Sequence, residues 1–219
     1  VRAVQGNLQQ GALADMTRYA SATEARRIQA CYRSLPEQLA KRNQKFQYSV
    51  LQRGATASRF ETALDWLVQA GLVSLCHRIR SVESPLAPHA EAAVFKAYHM
   101  DVGLFAAMAG FRPGDIVAAI PGQAFGGLTE TYVAQALTAN GLTPYYWESE
   151  GTAEVDFVYD GQAEPVAVEV KRGQHVRSKS LSVLRGRTPT LRAVRLSERP
   201  FGQTPDLLSL PLYAAFLLR

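Results

Sequence analysis

Residues 154–171 read EVDFVYDGQAEPVAVEVK, and this stretch decides the fold of the C-terminal half. Apolar and polar side chains alternate through 153–159 and again through 165–171, which is the pattern of β-strands. The dipeptide Asp160-Gly161 begins the short link between the two runs, and Asp-Gly is typical of a β-hairpin turn. We therefore predict that the two strands are antiparallel neighbours.

This hairpin is expected to bring charged side chains to one face of a sheet. Successive side chains of a strand point to opposite faces, and one set is apolar: Val155, Phe157, Tyr159, Val166, Val168 and Val170. Asp156 then lies on the other face of the first strand, and Glu169 and Lys171 lie on that face of the second. Because the strands are neighbours, we expect Asp156 and Glu169 to converge.

A helix predicted over 128–140 carries a third acidic residue. Glu130 is spaced i, i+3, i+4 and i+7 with Val133, Ala134 and Leu137, so it lies on the apolar stripe of the helix. A carboxylate in that position costs free energy unless it is paired or binds a cation. Glu130 is therefore a candidate metal ligand.

The three acids and the lysine suggest metal-assisted chemistry on phosphate. Glu130, Asp156 and Glu169 offer three hard oxygen donors, which suit Mg²⁺ or Mn²⁺. Such a cation polarises a phosphodiester and lowers the pKa of an attacking water. We predict Asp156, Glu169 and Lys171 as catalytic residues, with Lys171 as the base or as a stabiliser of developing charge. The alternative for Glu169 and Lys171 is a solvent-facing ion pair on a strand.

Charge is strongly segregated along the chain, although the net charge is only +5. Residues 111–170 hold one basic and nine acidic residues, whereas residues 171–219 hold ten basic and two acidic residues. In one interpretation the two blocks neutralise each other on solvated faces. In the other, the basic block contacts phosphates beside the acids, and the predicted nucleic-acid-binding residues are Arg172, Arg177, Lys179 and Arg185.

The N-terminal third is predicted to form a helical, winged-helix-like domain around 22–80. SATE (21–24) and SRFE (58–61) are capping-box patterns that begin helices, and Pro36 suits the first turn of a further helix. An interrupted strand over 72–79 is assigned to the wing. The third helix carries acidic side chains, which favours an adaptor or dimerisation role over the reading of bases.

The predicted fold class is α+β or α/β. A helical domain occupies 1–94, a connecting segment covers 95–127, and a mixed-sheet domain with the order α-β-β-β-α-β occupies 128–219. No apolar stretch approaches the length of a membrane span, so no membrane partner is expected. Two cysteines without a secretory leader favour a reduced, cytoplasmic protein.

The acids and the lysine resemble the PD-(D/E)XK signature of the restriction-endonuclease-like fold. They arrive in that order and on those elements: Glu130 on a helix, Asp156 on a strand, and Glu169-Val170-Lys171 on the next strand. Val155 stands where the signature has proline. The resemblance implies a nuclease-like domain that binds Mg²⁺ or Mn²⁺.

A longer resemblance covers most of the chain. The stretches that carry it are KFQYSVLQRGATASRFETALDWLVQAGLV (45–73), FKAYHMDVGLFAAMAG (95–110), LTETYVAQAL (128–137), YYWESEGTAEVDFV (145–158) and PVAVEVKRGQHVRSKSL (165–181). They are similar to an uncharacterised winged-helix and nuclease-like region that follows the ATPase domain of predicted bacterial and archaeal AAA-type ATPases. The resemblance implies that an N-terminal ATPase domain is a partner.

The sequence contains no G-x-x-x-x-G-K-[ST] motif, which binds the phosphates of ATP in many ATPases. ATP binding is therefore expected only in an ATPase domain outside this chain. With Val1 at its start, the chain is expected to be the C-terminal part of a larger ATPase. The first functional hypothesis is a Mg²⁺-dependent nuclease module that acts on nucleic acid. The second is an inactive nuclease-like fold that docks nucleic acid or protein for the ATPase. The third is a structural domain that forms homo-oligomers.

Overall fold

A computed structural model describes residues 1–118, 124–149, 153–172 and 179–219. Its helices are α1 (Arg2–Arg18), α2 (Ala22–Leu39), α3 (Ala57–Gln69), α4 (Val102–Met108), α5 (Pro113–Val117), α6 (Ala124–Ala139) and α7 (Lys179–Arg187). Its strands are β1 (Val73–Ile79), β2 (Ala90–His99), β3 (Tyr145–Glu148), β4 (Glu154–Asp160), β5 (Pro165–Val170), β6 (Arg192–Ser197), β7 (Gly202–Thr204) and β8 (Leu207–Pro211). Short 3-10 helices cover 48–50, 87–89 and 212–217.

The fold is mixed α+β, with a helical N-terminal region followed by a mixed sheet, which confirms the predicted fold class. In the described part of the chain the sheet has eight strands in the order β2-β1-β3-β4-β5-β6-β8-β7. Strands β1 and β3 are parallel, β4 is antiparallel to both of its neighbours, and β5, β6 and β8 are parallel to one another. Hence β1, β3, β5, β6 and β8 all end at the same edge of the sheet.

The chain divides into two compact units that are discontinuous in sequence. The N-terminal unit consists of Val1–Ser74 and Lys96–Tyr132, and the C-terminal unit consists of Leu75–Phe95 and Val133–Arg219. The sequence instead predicts continuous domains. Strand β1, which the sequence assigns to a wing, pairs with β3, with His77 opposite Tyr145. Among the described residues, no helix combines the length and the apolar character needed to cross a bilayer.

Helix α2 confirms one predicted boundary and corrects another. Ser21 accepts a hydrogen bond from the Glu24 backbone N–H, and the Glu24 carboxylate accepts one from the Ser21 N–H, so the capping box is present. Pro36 does not begin a new helix but lies inside α2. The side chains that α2 buries continue from Ile28 before Pro36 to Leu39 after it, so one apolar face of the helix runs past the proline.

Three further sequence boundaries are corrected by the structure. Helix α3 begins one residue before Ser58, with Thr56 as its N-cap and no side-chain cap bond. Strand β2 starts at Ala90, within the range predicted for the helical domain. Helix α6 begins at Ala124, within the predicted connecting segment 95–127 and before the predicted start at 128. Gly71 and Gly141 follow α3 and α6 with φ of +69° and +75°, the left-handed conformation that commonly ends helices.

Gly127 allows the beginning of α6 to approach the end of α2, and its replacement gives a first testable prediction. A Cβ at position 127 would lie 2.7 Å from the Leu39 carbonyl oxygen, whereas one at Gly126 would meet nothing within 4 Å. We expect Gly127→Ala to lower the free energy of unfolding by about 1–3 kcal/mol because backbone must move. The matched variant Gly126→Ala should be neutral or slightly stabilising. Urea denaturation of both variants checks this, and equal effects would contradict the close approach.

A buried histidine organises the core of the N-terminal unit. His99 Nδ1 accepts a hydrogen bond of 2.9 Å from the Asp101 N–H, so the neutral ring carries its proton on Nε2. That proton is donated to the Tyr32 hydroxyl at 2.8 Å. Burial lowers the pKa of His99 to about 4, although the Asp101 carboxylate acts in the opposite direction.

The lowered pKa of His99 predicts an acid-sensitive N-terminal unit. Between pH 6.5 and about 4 the unfolded chain takes up a proton that the folded chain excludes. The free energy of unfolding should therefore fall as the pH drops through this window, by up to about 3 kcal/mol. Urea titrations at several pH values test this, with His99→Gln expected to flatten the slope and His89→Gln expected to leave it unchanged. Parallel slopes for all three proteins would be incompatible with the assignment.

Candidate functional site

Strands β4 and β5 of the C-terminal unit carry Asp156 and Glu169, for which the sequence predicts convergence. Strands β4 and β5 pair in antiparallel register from Asp160 opposite Pro165 to Phe157 opposite Val168. The paired residues end there, next to Asp156 on β4 and to Glu169 on β5. The hairpin prediction is thus confirmed, and it places the two acids on neighbouring strands.

A β-bulge at Asp156 interrupts the simple alternation of β4. Tyr145 pairs with Val158 and Trp147 with Val155, so Tyr146 alone on β3 faces two residues, Asp156 and Phe157, on β4. The predicted faces are therefore wrong for Val155, which packs in the same buried cluster as Val158 and Ala167. Bulges re-aim side chains and often adjoin functional sites. The Asp156 carboxylate accepts a hydrogen bond of 2.7 Å from the Val170 N–H.

The carboxylate of Glu169 is buried, with only 2% of the side chain exposed. Its Oε1 lies 2.7 Å from Lys171 Nζ. Its Oε2 is also buried and has no hydrogen-bond partner in the described part of the chain. A buried carboxylate oxygen without a partner costs free energy. The structure thus excludes the solvent-facing ion pair for Glu169 and leaves one oxygen oriented for a further ligand.

Lys171 links the buried acid to solvent. Its backbone N–H donates to the Leu196 carbonyl at 2.8 Å, which fixes its position just beyond the end of β5. Its side chain is 36% exposed, whereas that of Glu169 is almost fully buried. The ammonium group therefore lies at the mouth of the site, between the acid and the surroundings.

Arg195, which the sequence places only in the general basic block, is a neighbour of this site. It is the register partner of Glu169 on the parallel strand β6, so the two residues lie side by side. The Arg195 Nε is buried and has no hydrogen-bond partner among the residues described. The alternation in β6 places Ala193 and Arg195 on one face, and the pairing of β6 with β5 is what joins that face to Glu169. The alternation can be recognised in the sequence, but the pairing of β6 with β5 cannot.

Glu130 lies in the N-terminal unit, and its carboxylate is already engaged. It accepts hydrogen bonds from Tyr98 Oη at 2.8 Å and from Gln44 Nε2 at 3.0 Å, and it lies 3.4 Å from Lys96 Nζ. Lys96 is 1% exposed, so this is a largely buried ion pair. The apolar stripe predicted for α6 is confirmed, since Val133 is fully buried. The sequence indicates that a buried Glu130 carboxylate needs a cationic partner, and in the structure that partner is Lys96.

The donor set fits a divalent cation only in part. Among the described residues, no three His, Cys, Asp or Glu side chains form a group that could hold a metal ion. Mg²⁺, however, is commonly bound by one or two carboxylates together with water and substrate phosphates. Asp156 and Glu169, with the unpartnered Oε2, supply such a pair. The role of Glu130 as a third ligand stays a prediction.

The predicted phosphate-contacting residues do not share one location. Arg172 follows Lys171 and is half-buried, and Lys179 is exposed at the beginning of α7. Arg185 donates to the Asp206 carboxylate at 2.6 Å and lines a cavity at the beginning of β6 and β8, the opposite end of the strands from Glu169. Arg177 lies outside the described residues.

Comparison with known families places two uncharacterised domains on the chain. Residues 1–115 match the family described as a domain of unknown function, DUF8612, and residues 125–212 match the one described as DUF4143. No protein with a curated description matches. Among solved structures, the chain is similar to protein VC1899 from Vibrio cholerae at 12% identity and a TM-score of 0.25. The match covers 90% of this chain and 54% of that protein, and it is too weak to indicate a shared fold.

Proposed function

The chain belongs to the DUF8612 family of unknown function, and we propose that its C-terminal unit hydrolyses phosphodiester bonds of nucleic acid with a bound Mg²⁺ or Mn²⁺. The observation that carries the proposal is the buried Glu169 carboxylate. One of its oxygens is paired with Lys171, and the other has no hydrogen-bond partner among the described residues. Asp156 lies on the neighbouring strand, where its carboxylate accepts a hydrogen bond from the Val170 N–H.

Each residue of this group has a distinct role in the proposed reaction. Asp156 and Glu169 hold the cation, which polarises the phosphodiester and lowers the pKa of a bound water when it is present. Lys171 orients the water or stabilises the charge that develops on phosphate. Water adds to phosphorus as the P–O ester bond breaks, leaving a phosphate monoester and a hydroxyl group. Glu130 has a structural role in this proposal, because Lys96 neutralises it.

We also propose a fold family for each of the two units. The C-terminal unit is restriction-endonuclease-like, and the N-terminal helices are winged-helix-like. Support comes from the placement of Asp156 on β4 and of Glu169 and Lys171 at the end of β5, in the order of the PD-(D/E)XK signature. The match to DUF4143, a domain typically found with AAA ATPases, supports an ATPase domain as a partner.

A cleavage assay on the full chain tests the proposed activity. Labelled single-stranded and duplex DNA and RNA are incubated with the protein in Mg²⁺, in Mn²⁺ and in EDTA. We expect cleavage in at least one divalent cation, and none in EDTA. Absence of cleavage with every substrate and both cations would overturn the proposal.

A second candidate function is a nuclease-like fold that binds nucleic acid without cutting it. The observation that favours it is the Lys96–Glu130 pair, which occupies one of the three predicted ligands. In this case oligonucleotide binding persists in Mg²⁺ while the labelled strand stays intact. The same samples, measured by fluorescence anisotropy and then by gel electrophoresis, separate the two candidates.

A further inference from the structure

An open cleft in the C-terminal unit lies at the carboxyl ends of β1 and β3. It has a volume of about 400 Å³ and is lined by Arg78, Arg80 and Arg187, with Glu91, Glu148, Trp147 and Ser149. Arg187 belongs to the basic block for which the sequence suggests phosphate contact, whereas Arg78 and Arg80 lie outside that block. Among the described residues that line the cleft, three guanidinium groups stand against two carboxylates, which is an excess of positive charge.

The three arginines of the cleft are not equivalent. Arg78 donates to both oxygens of Glu91, at 3.0 and 2.9 Å, and to Glu148 at 3.2 Å, so its charge is compensated. These bonds raise the pKa of Arg78 and lower that of Glu91. Glu91 also lies 3.3 Å from Arg80, whose side chain is nevertheless 79% exposed. The network thus positions Arg80 at the surface without enclosing it.

Arg187 is the second exposed cation of the cleft. Its guanidinium lies over the ring of Trp147, 5.5 Å from the ring centroid. Trp147 is 2% exposed, so the arginine covers the ring and presents its own outer side to solvent. A stacked guanidinium keeps its hydrogen-bond donors available for phosphate, which it can bind in a bidentate manner.

The cleft adjoins the proposed catalytic acids. Trp147 is paired with Val155, the residue before Asp156, on the neighbouring strand. Adjacent strands are about 4.8 Å apart. The ends of β1, β3 and β5 lie at one edge of the sheet, so the cleft and the acid pair share that edge.

We infer that this cleft binds the sugar-phosphate backbone of a nucleic-acid strand beside the scissile phosphate, through Arg80 and Arg187. The inference rests on the proposed function for the position of the scissile phosphate. Arg78, Glu91 and Glu148 act as a scaffold that holds Arg80 in place. Because these contacts are to phosphate, binding is independent of base sequence and sensitive to salt.

Oligonucleotide binding in EDTA tests the cleft without any cleavage. The full chain is titrated against a fluorescein-labelled single strand and the matching duplex, at salt concentrations between about 50 and 200 mM. We expect the double variant Arg80→Ala/Arg187→Ala to bind at least about tenfold more weakly, with a slope of log Kd against log salt reduced by about 2. The control is Arg26→Ala/Arg33→Ala, which removes the same charge from the N-terminal unit and should retain most of the affinity.

The outcomes distinguish this inference from the proposed function. If the unaltered chain does not bind, or if the two double variants lose affinity equally, the cleft is not a phosphate site. If the unaltered chain cleaves nucleic acid and the cleft variant binds it normally, the inference fails while the proposed function stands. If binding depends on Arg80 and Arg187 but no cation supports cleavage, the inference stands and the proposed function fails.

Discussion

Replacing Glu169 with glutamine is expected to abolish Mg²⁺-dependent cleavage while the protein stays folded. Glutamine has nearly the same shape but lacks the charge that a cation requires. Even a change in the residues that surround metal ligands costs about 10–100-fold in affinity or activity, so loss of a ligand should cost more than about 100-fold. Single-turnover cleavage of a labelled strand measures the loss.

The stability of the same variant separates a catalytic role from a structural one. Among the described residues, one oxygen of the buried Glu169 carboxylate has no partner, and the other is paired with Lys171, which is 36% exposed and stays solvated without it. Neutralising it removes a desolvation penalty, so thermal unfolding of Glu169→Gln should occur at an unchanged or higher temperature. Glu198→Gln, which removes an exposed carboxylate just after β6, is the control and should cleave normally. Full cleavage by Glu169→Gln, or a loss of cleavage that only accompanies unfolding, would contradict the assigned role.

Replacing Lys96 with methionine is expected to destabilise the N-terminal unit strongly. Lys96 is 1% exposed and lies 3.4 Å from the Glu130 carboxylate. Without it, Glu130 becomes a buried charge whose remaining hydrogen bonds in the described part of the chain come from Tyr98 and Gln44. Breaking a buried ion pair by removing one partner costs about 3–5 kcal/mol. Chemical denaturation of the variant and the unaltered chain provides the comparison.

A paired substitution tests whether Glu130 has any role beyond this ion pair. Lys96→Met/Glu130→Gln removes both charges, which is often close to neutral for stability. We expect it to recover most of the stability lost in Lys96→Met and to cleave at the rate of the unaltered chain. A stable double variant that no longer cleaves would restore Glu130 to the catalytic set.

Local signals in the sequence were enough to predict the framework of the site. The alternation around Asp160-Gly161 predicts the β4–β5 hairpin, and that hairpin places Asp156 and Glu169 on neighbouring strands. The capping box at Ser21 and the helix-ending Gly141 depend only on residues close to them in the chain. They too could therefore be predicted from the sequence. Such features depend on backbone geometry that neighbouring residues determine.

The features that the sequence did not reveal depend on partners distant in the chain. The bulge at Asp156 arises from the pairing of β4 with β3, and one extra residue moves Val155 to the opposite face. Glu130 was recognised as a buried acid, but Lys96, 34 residues earlier, could not be identified as its partner from spacing. Arg195 joins the site only through the parallel pairing of β6 with β5.

The central claim is that Asp156 and Glu169 together hold a divalent cation without Glu130. Calorimetric titration with Mn²⁺ tests it directly on the unaltered chain, on Asp156→Asn and on the Lys96→Met/Glu130→Gln variant. We predict Mn²⁺ binding that is lost in Asp156→Asn and retained in the double variant. Absence of binding to the unaltered chain, or equal binding by the unaltered chain and Asp156→Asn, would contradict the claim.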